Sequence, residues 1–315
     1  MVWNPADLPD AQGRTIAITG ANAGVGYFTA EQLAGAGAHV ILACRDQERA
    51  EAAVAAIRRR VRGARVEATP LDVADRASVD AAADALLERD RLDGLILNAG
   101  VVHAPRTRRS DRYGNELVLA TNVLGHFRLV ARVLPALERT AEAAAEPVIG
   151  PRIVSLGSLA TRLGRLRLDD LQLERSYSSW RAYSGSKIAL QAFGFELERR
   201  LRAAGSGVTS LVVHPGYSTS GRTPGIRGVN HPSRAKRFVD NLQAAWTQGK
   251  DHGAWAPVRA MLDPALTGDD YLGPLARTKG IPVQAHPTRA SRSPRTGARL
   301  WPLLEAAAAQ PFPLP

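Results

Sequence analysis

The sequence predicts an α/β fold with a doubly wound parallel sheet, arranged as a single domain with a C-terminal extension. Two observations carry this. Short unbroken runs of Val, Ile and Leu alternate with longer Ala-rich amphipathic segments from Thr15 to Val213, and continuous apolar runs are what strands buried on both faces look like. A glycine-rich turn also joins the first such run to the first helical pattern. Repeated β–α–β order requires crossover helices on both faces of the sheet.

In chain order, Thr15–Thr19 reads as a strand and Gly24–Ala36 as a helix. Ala38–Ala43 with Gln47–Arg60, Arg65–Thr69 with Val79–Glu88, and Leu95–Leu97 with Glu116–Glu138 repeat that unit. Arg152–Leu156, a helix over Tyr183–Ala203 and a sixth strand, Val208–Val213, complete it. Glu142–Pro151 holds Ala, Pro and Gly and reads as a surface connection. Gly216–Pro232 reads as a long loop, placed where open α/β sheets bind ligands. Beyond Arg277 the chain is rich in Pro and Arg until a short helix over Arg299–Ala309.

Composition narrows the function classes. No run approaches the ~18 apolar residues of a membrane span, and the first residues lack the basic and apolar regions of a secretion signal. A single cysteine, Cys44, allows no internal disulfide. These features lead us to expect a cytoplasmic protein. The net charge of +11 comes from scattered arginines with no aromatic interleaving, so it reads as a solvated surface and not as a nucleic-acid groove. No His, Cys and carboxylate set has metal-ligand spacing, His214 included, so no metal is expected.

Three motifs carry chemistry. The turn Thr19-Gly20-Ala21-Asn22-Ala23-Gly24-Val25-Gly26 lies between a strand and a helix. Glycines there let the backbone approach a pyrophosphate, and the helix N-terminus offers it free N–H groups. At the end of the second strand, where an acidic residue would hold an adenosine ribose hydroxyl, the chain places Cys44 and Arg45. A guanidinium suits a 2′-phosphate, which favours NADP(H), with NADPH preferred over NADH; Asp46 beside it pulls the other way. Finally, Tyr183 and Lys187 stand four apart in a helical pattern and share one face. A tyrosine with a pKa near ~10 becomes a usable acid or base when an ammonium lowers that value.

Taken with Asp72-Val73, Asn98-Ala99-Gly100, Asn122, Ser158 and His214-Pro215-Gly216, these motifs resemble the short-chain dehydrogenase/reductase family in order and spacing, across Thr15 to Thr219. Ala43-Cys44-Arg45, Thr121–Phe127, Trp180–Tyr183, Asp270–Pro274 and Arg299–Trp301 are similar to its branch of retinol dehydrogenases and protochlorophyllide reductases, which mostly use NADPH. The resemblance implies a Rossmann-type domain over residues 1–276, with a substrate loop at 216–260, and an extension over 277–315.

It also implies roles. Tyr183 would be the general acid/base, Lys187 would bind the nicotinamide ribose, Ser158 would bond the substrate oxygen, and Asn122 would hold a relay water. Gly20, Asn22, Ala23, Gly24, Val25, Gly26, Arg45, Asp72, Val73, Asn98, Ala99, Gly100, Pro215, Gly216 and Thr219 would line the cofactor, with Asp72 at the adenine and Thr219 at the carboxamide. Where the family shows two adjacent serines, this chain has Gly157-Ser158, and Ser155 reads as structural.

The expected reaction interconverts a carbonyl and an alcohol by hydride transfer. Reduction of a carbon–carbon double bond is the alternative, and a nucleotide-sensing regulator with a silent site is the alternative from another class. Specificity is expected in Val101–Tyr113, Leu159–Trp180 and Tyr217–Gly253, whose Leu, Val, Trp and Phe point to an apolar small-molecule substrate. Trp180 and Tyr177 read first as packing residues of the loop before the catalytic helix. A homo-oligomer is compatible with the family, although the extension could cover a usual interface.

Overall fold

The computed structural model describes residues 3–143 and 149–314; of the connection expected over Glu142–Pro151, residues 144–148 lie outside them. Six strands follow the sequence pattern: β1 (Thr15–Thr19), β2 (His39–Cys44), β3 (Arg65–Pro70), β4 (Gly94–Leu97), β5 (Arg152–Leu156) and β6 (Thr209–Val213). Between them run α1 (Gly24–Gly35), α2 (Gln47–Arg60), α3 (Arg76–Leu87), α4 (Leu117–Leu119), α5 (Gly125–Glu142) and α6 (Ser179–Ala203). The remaining elements are β7 (Ser218–Thr219), α7 (Arg234–Leu242), β8 (Gln248–Gly249), α8 (Lys250–Gly253), α9 (Trp255–Leu262), β9 (Tyr271–Pro274), β10 (Pro282–Gln284), α10 (Arg289–Arg292) and α11 (Pro294–Ala308).

The main sheet has the order β10-β9-β6-β5-β4-β1-β2-β3. All its pairs are parallel except β9 with β10. From β1 the chain first winds outward through β2 and β3, then returns to β4 on the other side. That reversal leaves a crevice at the C-terminal ends of β1 and β4, where ligands bind in open α/β sheets. The fold is thus the doubly wound Rossmann-type sheet.

One apolar layer joins α3, α5, α6 and α11 to one face of the sheet. The other joins α1, α2 and α9 to the opposite face. Local signals set the helix ends. Asp46 accepts from Arg49 N at 3.1 Å to start α2, and Ser178 accepts from Arg181 N at 3.2 Å to start α6. This cap sets the start of α6 a turn earlier than the apolar pattern does, so Tyr183 stands inside the helix.

Several expectations are corrected. The helix over Glu116–Glu138 is not one regular element. A π turn, Ala120–Leu124, separates α4 from α5 and is closed by Gly125 N–H donating to Ala120 O. Such an extra residue re-aims side chains, often at functional sites. The sheet gains β9 and β10, whose short segments carry too little apolar pattern to read as strands. Trp255–Leu262, which begins inside the expected substrate loop 216–260 and runs past its end, is a helix with Ala256, Val258, Met261 and Leu262 buried. Buried Arg152 anchors it by donating to the carbonyls of Ala260, Asp263 and Leu266 at 2.8, 2.8 and 2.9 Å.

Residues 294–314 pack onto the core. Phe127 of α5, Phe193 of α6, Trp301 of α11 and Phe312 form a ring cluster with centroids 4.7 to 6.3 Å apart. Among the described residues one helical stretch, Leu117–Glu142, is long and apolar enough by composition to cross a membrane, but 78% of its most apolar part is buried inside the fold.

Candidate active site

The ends of β1, β4, β5 and β6 open into one cleft of about 710 Å³. It brings together Gly20, Asn22, Ala23, Gly24 and Val25 of the glycine turn, Asn98, Ala99 and Gly100 after β4, Ser158 after β5, Tyr183 and Lys187 of α6, and Pro215 and Gly216 after β6. A hollow of about 240 Å³ adjoins it at Gly20 and Asn22 and holds Arg45, Asp72 and Val73.

The turn's geometry depends on glycine. Gly20 has φ +67°, and a Cβ there would lie 2.9 Å from Ala99 Cα, a conformation and an approach that other residues resist. Gly26 is not on the cleft wall; it is buried behind it, where a Cβ would come within 2.8 Å of Gly20 O. Asn98 Nδ2 donates to Thr19 O at 2.7 Å and Gly20 O at 3.2 Å, so it shapes the turn. Ala23 provides α1 with no side-chain cap, and no acidic residue stands in the first turn. The free N–H groups and the positive dipole end therefore remain available to an anion.

Arg45 reaches out at the end of β2, with Nη1 4.0 Å from Asp72 Oδ2. Arg49 lines the same hollow; its place in the first turn of α2, just past Arg45 and the Asp46 cap, was the signal that could have found it. Lys250 also lines the cleft. Its Nζ lies 3.9 Å from the place a Cβ would take on Gly24, and burial lowers its pKa. No spacing rule could link it to the turn, since more than two hundred residues separate them. Cys44 is buried, which pushes its thiol up to about 11 and keeps it neutral.

At the reactive end, Tyr183 donates its hydroxyl hydrogen to Ser158 Oγ at 3.1 Å. Ser158 also accepts from Ala160 N at 3.2 Å, which fixes its side chain. Lys187 Nζ donates to Leu156 O at 2.8 Å, and burial pushes its pKa down to about 8. The tyrosine departs from expectation. Burial raises its pKa, and the Ser158 bond lowers it by less. Desolvation of the phenolate is the larger effect, so the phenol is the resting form at neutral pH. Ser155 lies fully buried in β5, away from the cleft.

Besides Gly26, two more expected site residues sit off the cleft wall. Asn122, in the π turn, is fully buried and off the cleft wall. Its Oδ1 accepts from Val101 N at 2.7 Å and its Nδ2 donates to Ser186 Oγ at 2.9 Å. Both functions are thus engaged in holding the chain behind Gly100. Thr219, the second residue of β7, is buried beside Asp240, and its neighbour Ser218 lines the cleft instead.

The cleft's outer rim draws on all three segments expected to set specificity: Val102; then Leu159, Ala160, Leu163 and Trp180; then Tyr217. Trp180, expected to pack a loop, is half exposed at this rim. Tyr177 is not on the cleft wall and donates to Pro105 O at 2.9 Å. His214 is buried against Tyr271, and its Nδ1 accepts from Gly216 N at 3.3 Å, which shapes the turn after β6. Among the described residues, no group of three or more His, Cys, Asp or Glu could hold a metal ion.

Known proteins resemble this chain in sequence and fold. The family model for short chain dehydrogenases matches residues 14–227. Human retinol dehydrogenase 13 is 41% identical over 220 residues, covering 69% of this chain and 63% of its own length. Mouse polyprenol dehydrogenase is 36% identical over 303 residues, covering 95% of this chain and 85% of its own. The chain thus spans less than two-thirds of human retinol dehydrogenase 13. A crystal structure of an uncharacterised protein from Mycobacterium paratuberculosis superposes with TM-score 0.78 at 36% identity, covering 99% of both chains. The Pseudomonas aeruginosa RhlG/NADP active-site complex superposes with TM-score 0.60 at 25% identity, covering 82% of this chain and 94% of that one. With a family model spanning the glycine turn, Ser158, Tyr183 and Lys187, and with relatives this similar, the chain belongs to the short-chain dehydrogenase family.

Proposed function

We propose that the protein is an NADP(H)-dependent oxidoreductase that interconverts a carbonyl and an alcohol on an apolar small molecule. The observation that carries this is the Tyr183–Ser158 hydrogen bond, facing the glycine turn across one cleft. The cofactor fits the donor set. The uncapped start of α1 suits the pyrophosphate. Arg45 and Arg49 suit a 2′-phosphate, while Asp72 and Val73 border the adenine hollow and Lys187 the ribose. The match to a structure described as an NADP complex agrees with this reading. When bound, NADPH supplies the hydride.

The chain's own groups handle the oxygen. Tyr183, held as a phenol by burial, gives its proton to the oxygen that becomes the alcohol. Ser158 donates to that oxygen while its charge develops. In the reverse direction Tyr183 takes the alcohol proton. Asn122 acts indirectly, by positioning the loop behind Gly100 through its bond from Val101 N. The rim of Val102, Leu163, Trp180 and Tyr217 favours an apolar chain. The names of the relatives, retinol and polyprenol dehydrogenases, suggest a prenyl-type alcohol or aldehyde.

The test is NADPH consumption with α,β-unsaturated prenyl aldehydes, with the product identified. We expect the allylic alcohol, with Tyr183→Phe lowering kcat by about a hundred- to ten-thousand-fold and leaving NADPH affinity unchanged. The saturated aldehyde as product would favour double-bond reduction. NADPH binding with no turnover would leave the silent regulator.

A further inference from the structure

Helix α7 is turned inside out. Its carboxylate, Asp240, is buried and accepts from Gly221 N at 2.7 Å and from Lys236 Nζ. Arg237, on the same side, donates to Gly221 O and Thr223 O at 3.3 and 3.4 Å. The polar side therefore grips the protein. Phe238 and Leu242 point to solvent at 67% exposure each, and Val239 and Trp246 are about half exposed. A helix that helps fill a core buries the opposite face.

The apolar face runs on toward the cleft mouth. Just past α7, Ala244 O accepts from Lys279 Nζ at 3.0 Å. The neighbouring Thr278 lies in the cleft wall and accepts from Tyr217 N at 2.7 Å. Tyr217 is half exposed, and nearby Leu275 is 65% exposed. Around this face the charge is one-sided. Residues 216–250 contain six Lys and Arg and a single acidic residue, the buried Asp240; Lys250 lines the cleft and Lys236 pairs with Asp240, so Arg222, Arg227, Arg234 and Arg237 carry the excess positive charge.

We propose that the α7 face, Phe238, Val239, Leu242 and Trp246, is a docking surface for an anionic lipid bilayer, and that it brings the cleft mouth to the bilayer surface. An aromatic and aliphatic face flanked by basic side chains is the pattern of an interfacial helix, and basic groups near an anionic leaflet strengthen its attachment. A second copy of this chain is a poorer occupant, because it would bring the same arginines against themselves. The inference stands on exposure and charge and does not depend on the cofactor assignment.

Co-sedimentation with vesicles tests it, using full-length protein with phosphatidylcholine alone and with about one-third phosphatidylserine. We expect the wild type to sediment with the anionic vesicles and to be released by high salt. Phe238→Ser/Leu242→Ser/Trp246→Ser should cut binding at least about tenfold, with melting temperature and NADPH affinity unchanged. Arg234→Glu, which leaves the apolar face intact, should reduce the preference for anionic over neutral vesicles. Equal sedimentation of wild type and triple variant overturns the proposal. So does a dimer seen by light scattering that the triple variant dissolves, if neither protein binds vesicles.

Discussion

Thr19 Oγ1 and His126 Nε2 lie 2.9 Å apart in a fully buried contact that ties the glycine turn to the start of α5. The other ring nitrogen, Nδ1, is 3.2 Å from Asn122 O. A carbonyl only accepts, so Nδ1 carries the proton and Nε2 takes the hydrogen of the Thr19 hydroxyl. Thr19 Oγ1 in turn accepts from Asn98 N and Ala99 N at 3.0 and 2.9 Å. One neutral imidazole thus joins the cofactor turn, the strand end that carries Asn98 and the π turn that carries Asn122.

That neutrality makes stability pH-dependent. Burial pushes both His126 and His214 down to about 4. Unfolded, each titrates near ~6.5. Between these values the unfolded chain binds more protons, so stability is fully present above ~6.5 and is lost as pH falls toward 4. Each shift corresponds to roughly 3 kcal/mol. Glu116 and Glu198, whose pKa values are raised by burial, act in the opposite sense at the acid end. Melting curves across this range should show a steep acid-side loss. His126→Asn, which keeps a donor for Asn122 O, should flatten that slope by about half.

The parallel core was legible because its strands are buried on both faces, which writes unbroken apolar runs into the sequence. The site was legible where chemistry is local, as in Gly20–Gly26 or the Tyr183–Lys187 spacing. It was not legible where the fold decides. Lys250 meets Gly24 only through the tertiary path of the chain. The π turn at Asn122 leaves no compositional mark. Nor could spacing show that burial would raise the Tyr183 pKa.

The two ends of the cofactor cleft should separate by charge. Arg45→Ala should weaken NADPH about tenfold or more, the scale of a lost charge-assisted hydrogen bond, and leave NADH nearly unchanged. Arg49→Ala should act in the same direction. Lys250→Met removes a cation beside the turn common to both nucleotides, so it should weaken NADPH and NADH alike. Fluorescence titration of both nucleotides on the three variants checks this. Loss of NADPH preference in Lys250→Met would place its ammonium at the 2′-phosphate instead.

The direction of reaction should respond to pH. Burial keeps Tyr183 protonated through neutral pH, so reduction, which uses the phenol, should show no loss of kcat as pH falls from neutral to mildly acidic. Oxidation uses the phenolate and should climb as pH rises. Lys187, at about 8, loses its charge in the same alkaline range and stops favouring the phenolate there. Oxidation should therefore rise less than in proportion to hydroxide. A pH–rate profile in both directions with one prenyl alcohol–aldehyde pair tests this, and a maximum for oxidation at acidic pH would contradict it.

The C-terminal helix should matter to the whole domain. Trp301 is buried between Phe127, Phe193 and Phe312, with the Arg200 guanidinium 4.3 Å from its ring centroid. Removing such a ring costs the burial of its surface plus the cavity left behind, about 3–5 kcal/mol. Trp301→Ala should therefore lower the denaturation midpoint sharply. Trp301→Phe should recover most of the loss, because it keeps the ring contacts. The cleft lies at the strand ends while Trp301 bridges α5 and α6 behind the sheet, so kcat at a temperature well below melting should stay near wild type. A fall in kcat with unchanged stability would mean instead that the α6 position, and with it Tyr183, is set from this distant ring cluster.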